Sequence, residues 1–274
     1  MAGPLKDKTL FITGASRGIG EAIGLRAARD GANIVIAAKT DAPHPKLPGT
    51  IHTAATAMES AGGRALPVVM DIRDEAQVEN AVQAAVERFG GIDILINNAS
   101  AISLTGTEAT PLKRFDLMMG INLRGSFACT RACLPHLKRA ANPHVLTLAP
   151  PPNLNPRWFK DHVAYTIAKY GMSLLVLGQA EEFKPLGIAV NALWPRTVIA
   201  TAALQMIPGV DPKAARLPSI MADAAHAILT REARACTGHF FIDDEVLAEA
   251  GVTDLTAYSV DPSRKPILDI FLDP

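Results

Sequence analysis

The sequence predicts an α/β protein, a single domain built on one doubly wound parallel sheet of about seven strands. Three observations lead there. Short β-rich apolar runs alternate with amphipathic stretches along the 274 residues, a glycine-rich turn follows the first run directly, and most runs end in polar or glycine residues. Strict alternation means parallel strands with helices on both faces of the sheet.

The first run, 9–13 (TLFIT), leads through the glycine turn into a helix-like stretch at 18–30. The second run, 33–38, is followed by the segment 40–50, TDAPHPKLPGT, whose three prolines and one glycine prevent either a strand or a helix. It reads as a loop beside the first turn, either a plain surface connection or one whose His44 and Lys46 reach a phosphate. Helix-like stretches at 51–61 and 75–89 flank the run 65–70, and the run 94–97 precedes a long helical stretch at 111–138. Runs at 145–149 and 188–193 enclose a helix at 164–183. A looser helical region, 198–234, leads to the last run, 239–242. The remaining segment, 243–274, has scattered apolar residues and several prolines, and is expected to wrap the surface.

Lysine plus arginine (27) balances aspartate plus glutamate (27) with no long basic run, so the charge points to a small-molecule partner and not to nucleic acid. The apolar run in MAGPLKDKTLFIT is too short for a signal peptide, and no stretch approaches the ~18 apolar residues of a membrane span, so a cytoplasmic protein is expected. Cys129, Cys133 and Cys236 form no disulfide framework and read as reduced thiols. The seven histidines form no H-E-x-x-H or similar cluster, so no metal is expected.

The turn TGASRGIG, Thr13 to Gly20, has the placement of a phosphate cradle. Gly14 allows a tight turn, Gly18 admits close backbone approach and Gly20 packs helix on strand, while backbone N–H groups around Ala15, Ser16, Arg17 and Ile19 face an anion. The loop does not end in the Lys-Ser or Lys-Thr of a P-loop, which disfavours triphosphate hydrolysis. Farther along, Tyr165 and Lys169 stand four apart at the start of an apolar-periodic helix, on one face. An adjacent ammonium favours phenolate, so the pair makes an acid–base unit.

Taken in order, TGASRGIG, NNAS at Asn97 to Ser100, Asn122 and YTIAK at Tyr165 to Lys169 resemble the signatures of the short-chain dehydrogenase/reductase family across about 200 residues. The resemblance implies a Rossmann-type fold, a nicotinamide cofactor and direct hydride transfer between cofactor and an alcohol or carbonyl carbon. It implies that Tyr165 exchanges a proton with the substrate oxygen, that Lys169 binds the nicotinamide ribose and depresses the tyrosine pKa, and that Asn122 anchors a relay water. Asp71 is then expected at the adenine, Asn98 and Ala99 near the cofactor ribose, and the turn from Pro195 to Val198 at the carboxamide.

NAD-specific sites place an acid after the second strand, whereas a 2′-phosphate needs cations. Here that strand ends Ala37-Ala38-Lys39-Thr40, with no carboxylate before Asp41, and Arg17 adds a second cation. NADP(H) is therefore favoured over NAD(H). The family's catalytic serine is missing: Pro150 stands in its place by strand alignment and Pro152 by counting back from Tyr165, and neither offers a side-chain donor. Thr147, Asn153, Ser100 or Ser103 are the substitutes at hand. Trp194-Pro195-Arg196 departs from the more usual proline–glycine, and Ser100 replaces a commoner glycine.

Two functions stay open: an NADP(H)-dependent oxidoreductase acting on a lipid-like substrate, with a lid in the region 196–235, and a nucleotide-binding protein with little or no turnover. The resemblance also implies a homodimer or homotetramer through the helices at 111–138 and 164–183. The chain ends FLDP with no S-K-L tail, as expected for a catalytic domain standing alone.

Overall fold

The computed structural model describes residues 3–45, 47–204, 207 and 209–273. Seven strands, β1 (Thr9–Thr13), β2 (Asn33–Ala38), β3 (Arg64–Val69), β4 (Ile94–Asn97), β5 (His144–Thr147), β6 (Ala189–Trp194) and β7 (Phe240–Ile242), form one sheet in the order 3-2-1-4-5-6-7. Every neighbouring pair is parallel. The order reverses between β1 and β4, and in such sheets the crevice at that point, outside the strands' carboxyl ends, is where ligands sit.

Side-chain alternation along the strands divides the core into two layers. Leu10, Ile12, Ile34 and Ile36 pack on α1 (Gly18–Ala28), α2 (Ile51–Ser60) and α7 (Ser219–Leu229), while Phe11, Val35 and Leu95 face α3 (Glu75–Phe89), α5 (Gly125–Leu137) and α6 (Val163–Phe183). The helix ends follow local chemistry. Thr50 forms a reciprocal capping box with Thr53, the Asp74 carboxylate accepts from the Gln77 amide, and Gly90 closes α3 in the left-handed conformation.

Three segments differ from the sequence expectation. The single helix over 111–138 is α4 (Leu112–Met118) and α5 joined by a π-helical turn, Met119–Arg124. Among its described residues the region 198–234 is mostly irregular before α7, with a 3₁₀ turn at Pro212–Ala214. The segment from 243 onward does not simply wrap the surface. It begins with α8 (Asp243–Glu249), which buries Asp243, Val246 and Leu247, and it ends in a strap that buries Phe271 and Leu272. Isolated anchors of this kind have no periodicity that would mark them in a sequence.

His144, at the start of β5, is buried, with Nε2 on the Arg231 carbonyl at 3.1 Å and Nδ1 unpartnered. Burial lowers its pKa to about 4. An unfolded histidine takes up a proton near pH 6.5, so between about 6.5 and 4 the unfolded chain binds a proton that the folded one refuses. Stability is thus expected to fall with pH across that window by on the order of 3 kcal/mol. Urea unfolding at stepped pH checks this, and His144→Asn should flatten the slope.

Candidate active site

At the carboxyl ends of β1, β2 and β4 lies an open cleft of about 440 Å³. Gly14, Ser16, Arg17, Gly18 and Ile19 line one wall, Lys39, Thr40 and Asp71 another, and Asn98, Ala99 and Ser100 a third, with Thr201 to Ala203 on the near edge. Gly14 and Gly18 have positive φ (70° and 64°), which glycine alone adopts without strain. A Cβ on Gly20 would lie 2.5 Å from Asn98 Nδ2, so that position must stay bare. Asn98 fixes the turn: its Nδ2 donates to the Thr13 carbonyl at 2.8 Å and the Gly14 carbonyl at 3.2 Å, and its backbone amide donates to Thr13 Oγ1 at 3.0 Å. The resulting cradle at the N-terminus of α1 fits a dinucleotide pyrophosphate.

The two cations that line the cleft among the described residues are held in different ways. Arg17 donates to the carbonyls of Pro48 and Gly49, each at 2.8 Å, which ties the proline-rich loop over the cleft. Lys39 Nζ lies 3.2 Å from Asp71, whose carboxyl is drawn well below the usual range chiefly by the Arg73 guanidinium. Asp41, the first acid after β2, pairs with His52 at 2.7 Å. His44 bridges to Leu47 within the loop, and Lys46 lies outside the described residues.

The residues expected at the hydride end lie beyond this cleft. Tyr165 (5% exposed) and Lys169 (3%) share one face of α6. Lys169 Nζ donates to the Leu148 carbonyl at 2.8 Å and sits 5.2 Å from the Trp194 ring centroid. Burial lowers the Lys169 pKa to about 8 and pushes the Tyr165 phenol well above its ordinary value. Asn122, within the π-helical turn, clamps the Ala101 peptide, its Oδ1 accepting from the amide at 2.7 Å and its Nδ2 donating to the carbonyl at 3.0 Å. Pro195 is buried, and the Val198 amide donates to the Ile267 carbonyl at 3.0 Å.

The stretch after β5 carries no hydroxyl. Pro150 is buried and its carbonyl accepts from Ser173 Oγ at 2.7 Å. Of the substitutes considered, Asn153 is turned to Asp273 and Ser103 to Thr105, while Ser100 lines the cofactor cleft.

Residues that sequence reasoning missed come from the C-terminal strap. Phe271 stacks on Tyr165 (centroids 6.2 Å apart, planes at 25°) and also meets Trp158, His162, Tyr170 and Trp194. Beside it, the Asp269 amide donates to the Arg196 carbonyl at 3.0 Å. No spacing rule links 269–271 to a helix a hundred residues earlier. Among the described residues no group of three or more His, Cys, Asp or Glu side chains is placed to hold a metal, and no helix is long and apolar enough to cross a membrane.

A parallel sheet in this order with a glycine cradle at its switch point defines a nucleotide-binding α/β protein of the Rossmann type. The model of the short chain dehydrogenases matches residues 8–208, and the chain belongs to that family of oxidoreductases, which bind a nicotinamide cofactor. It is 60% identical over 272 residues to hydroxysteroid dehydrogenase-like protein 2 of Danio rerio and 56% identical over 273 residues to that of Homo sapiens, covering 99% of this chain and 65% of each relative. The chain thus spans just under two thirds of those relatives' length. Among solved structures, a candidate dehydrogenase from Xanthomonas campestris superposes with a TM-score of 0.97 at 66% identity, covering 98% of this chain and 99% of that one. A short chain dehydrogenase from Mycobacterium thermoresistibile gives 0.93 at 52% identity, covering 98% and 96%.

Proposed function

We propose that this protein is an NADP(H)-dependent oxidoreductase that transfers hydride between the nicotinamide and an alcohol or carbonyl of a lipid-like substrate. The observation that carries the reading is the pairing of Tyr165 and Lys169 on one face of α6, with the ammonium buried between the Leu148 carbonyl and the Trp194 ring. The bound nicotinamide supplies or accepts the hydride. Tyr165 gives a proton to the carbonyl oxygen in reduction and takes it back in oxidation. Lys169 stabilises the phenolate by its charge and binds the nicotinamide ribose. Asn122 holds the Ala101 peptide in place and anchors a relay water. Gly14, Ala15, Ser16, Arg17, Gly18, Ile19 and Gly20 cradle the pyrophosphate, with Asp71 at the adenine, Asn98 and Ala99 beside the ribose, and Pro195 and Val198 at the carboxamide. Lipid character rests on the relatives' name and on the apolar surround of Tyr165, which includes Met118, Trp194, Ile242 and Leu272.

Preference for the phosphorylated cofactor is supported by Arg17 and Lys39 in the cleft and by the engagement of Asp41 with His52. A charge-assisted hydrogen bond is worth about 1.5–3 kcal/mol, roughly ten- to a hundredfold in affinity. Arg17→Ala and Lys39→Ala are each expected to weaken NADPH binding within that range while changing NADH binding less than about threefold. Fluorescence titration with both cofactors tests this, and equal losses would sink the preference.

The second reading, a nucleotide-binding protein with little turnover, is favoured by the packing of Phe271 over Tyr165 and by the absent hydroxyl after β5. NADPH consumption against aliphatic aldehydes, 3-keto acyl thioesters and ketosteroids separates the two. An assembly of two or four copies is supported by exposed apolar side chains on α4 to α6, among them Leu112 (78% exposed) and Leu174 (62%). The protein is read as cytoplasmic.

A further inference from the structure

The proline-rich segment after β2 is closed at its stem and then laid against the glycine turn. At the stem the Ile51 amide donates to the Thr40 carbonyl at 2.9 Å, and His52 meets Asp41. At the far side Leu47 lines the cleft and Gly49 takes a φ of +84°. A Cβ on Gly49 would lie 2.6 Å from the Ser16 carbonyl oxygen, so only a bare residue lets the two backbones come this close. That approach brings two successive carbonyls, those of Pro48 and Gly49, to the Arg17 side chain.

Arg17 is thereby only half used. Its Nε donates to the Pro48 carbonyl and its Nη2 to the Gly49 carbonyl, which occupies one edge of the planar guanidinium. The other edge, formed by Nη1 and the second Nη2 proton, makes no bond to a described residue and has the fork that matches a phosphate. Charge points the same way. Lys39 is answered by Asp71 at 3.2 Å, whereas Arg17 forms no ion pair among the described residues and its two partners are neutral. Glu21, on the first turn of α1, feels the Arg17 charge but makes no ion pair with it.

We propose that the Pro48–Gly49 turn is a positioning element of the cofactor site: it holds the Arg17 guanidinium by one edge so that the other is presented, already oriented, to the 2′-phosphate of the cofactor's adenosine. The proposal rests on the NADP(H) reading above. Its advantage is entropic, because an arginine free to turn loses rotamers when it binds, and one already held by two carbonyls has lost them beforehand. The segment 40–50 then belongs to the cofactor site through its backbone, and is not a plain surface connection.

The experiment measures dissociation constants of the full chain for NADPH and NADH in wild type, Gly49→Ala, Arg17→Ala and the double variant. Any disturbance that the added methyl causes at the Ser16 carbonyl weakens both cofactors alike, so the readout is the ratio of the two affinities. Gly49→Ala is expected to lower the preference for NADPH by roughly two- to tenfold, the cost of fixing one long side chain afresh, and to lower it no further once Arg17 is alanine. A preference unchanged in Gly49→Ala, or lowered equally in both backgrounds, overturns the proposal while the NADP(H) reading stands. A preference unchanged in Arg17→Ala overturns both. Should Gly49→Ala fail to fold, wild type decides through the ¹⁵N resonances of its arginine side chains, with Arg17→Lys to assign the peak and saturating adenosine 2′-monophosphate as the probe. The Arg17 Nε–H is expected to exchange slowly with water before the nucleotide is added and to stay protected afterwards, while rotation of the Nη groups slows. An Nε–H unprotected in the free protein overturns the proposal, because the turn then does not hold Arg17. So does one released on binding, which means that Arg17 leaves the turn to take the phosphate, and so does Nη rotation that the nucleotide leaves unchanged. None of these readouts needs turnover.

Discussion

Tyr165→Phe is expected to lower hydride transfer by about a thousandfold, within the 10²–10⁴ range attributed to a positioned acid or base, while NADPH still binds. In the proposed reaction the phenol exchanges the proton, and it shares one face of α6 with the Lys169 ammonium. The cofactor cradle is built separately, from the β1–α1 turn and the Asn98 bonds to Thr13 and Gly14. The hydroxyl makes no hydrogen bond to a described residue, so its removal should leave the unfolding free energy nearly unchanged. A stopped assay of NADPH consumption beside a direct binding measurement tests both halves. If the variant keeps wild-type turnover, Tyr165 is not the proton carrier. If wild type shows none despite tight binding, the nucleotide-binding reading stands.

The site divides into a part visible in the sequence and a part that is not, and the division has a physical cause. Strands β1 to β7 show because buried parallel strands are runs of apolar and β-branched residues, and the cradle shows because Gly14, Gly18 and Gly20 answer backbone demands at fixed offsets. The π-helical turn around Asn122 does not show. Widening one turn leaves the apolar pattern of 111–138 almost unaltered, yet it sets the position at which Asn122 grips Ala101. Phe271 is harder still. It acts through long-range ring contacts to α6, and nothing in ILDIFLDP distinguishes a surface strap from one that inserts a ring beside Tyr165. Arg17 is a mixed case: its place in the cleft follows from the motif, whereas its bonds to Pro48 and Gly49 depend on how a proline-rich loop folds back.

Phe271→Ala is expected to cost about 3–5 kcal/mol of stability, the usual range for deleting a fully buried aromatic ring. Phe271 is 1% exposed and meets five other rings, so its removal leaves a cavity that rigid aromatic neighbours on α6 and β6 can only partly close. Its φ of +75° is a conformation that side-chain-bearing residues seldom take, a cost that phenylalanine and alanine share, so the loss reads the packing that sustains it. Phe271→Leu keeps the same backbone strain and most of the buried area and should lose noticeably less, so equilibrium urea unfolding of the pair reads the cavity contribution.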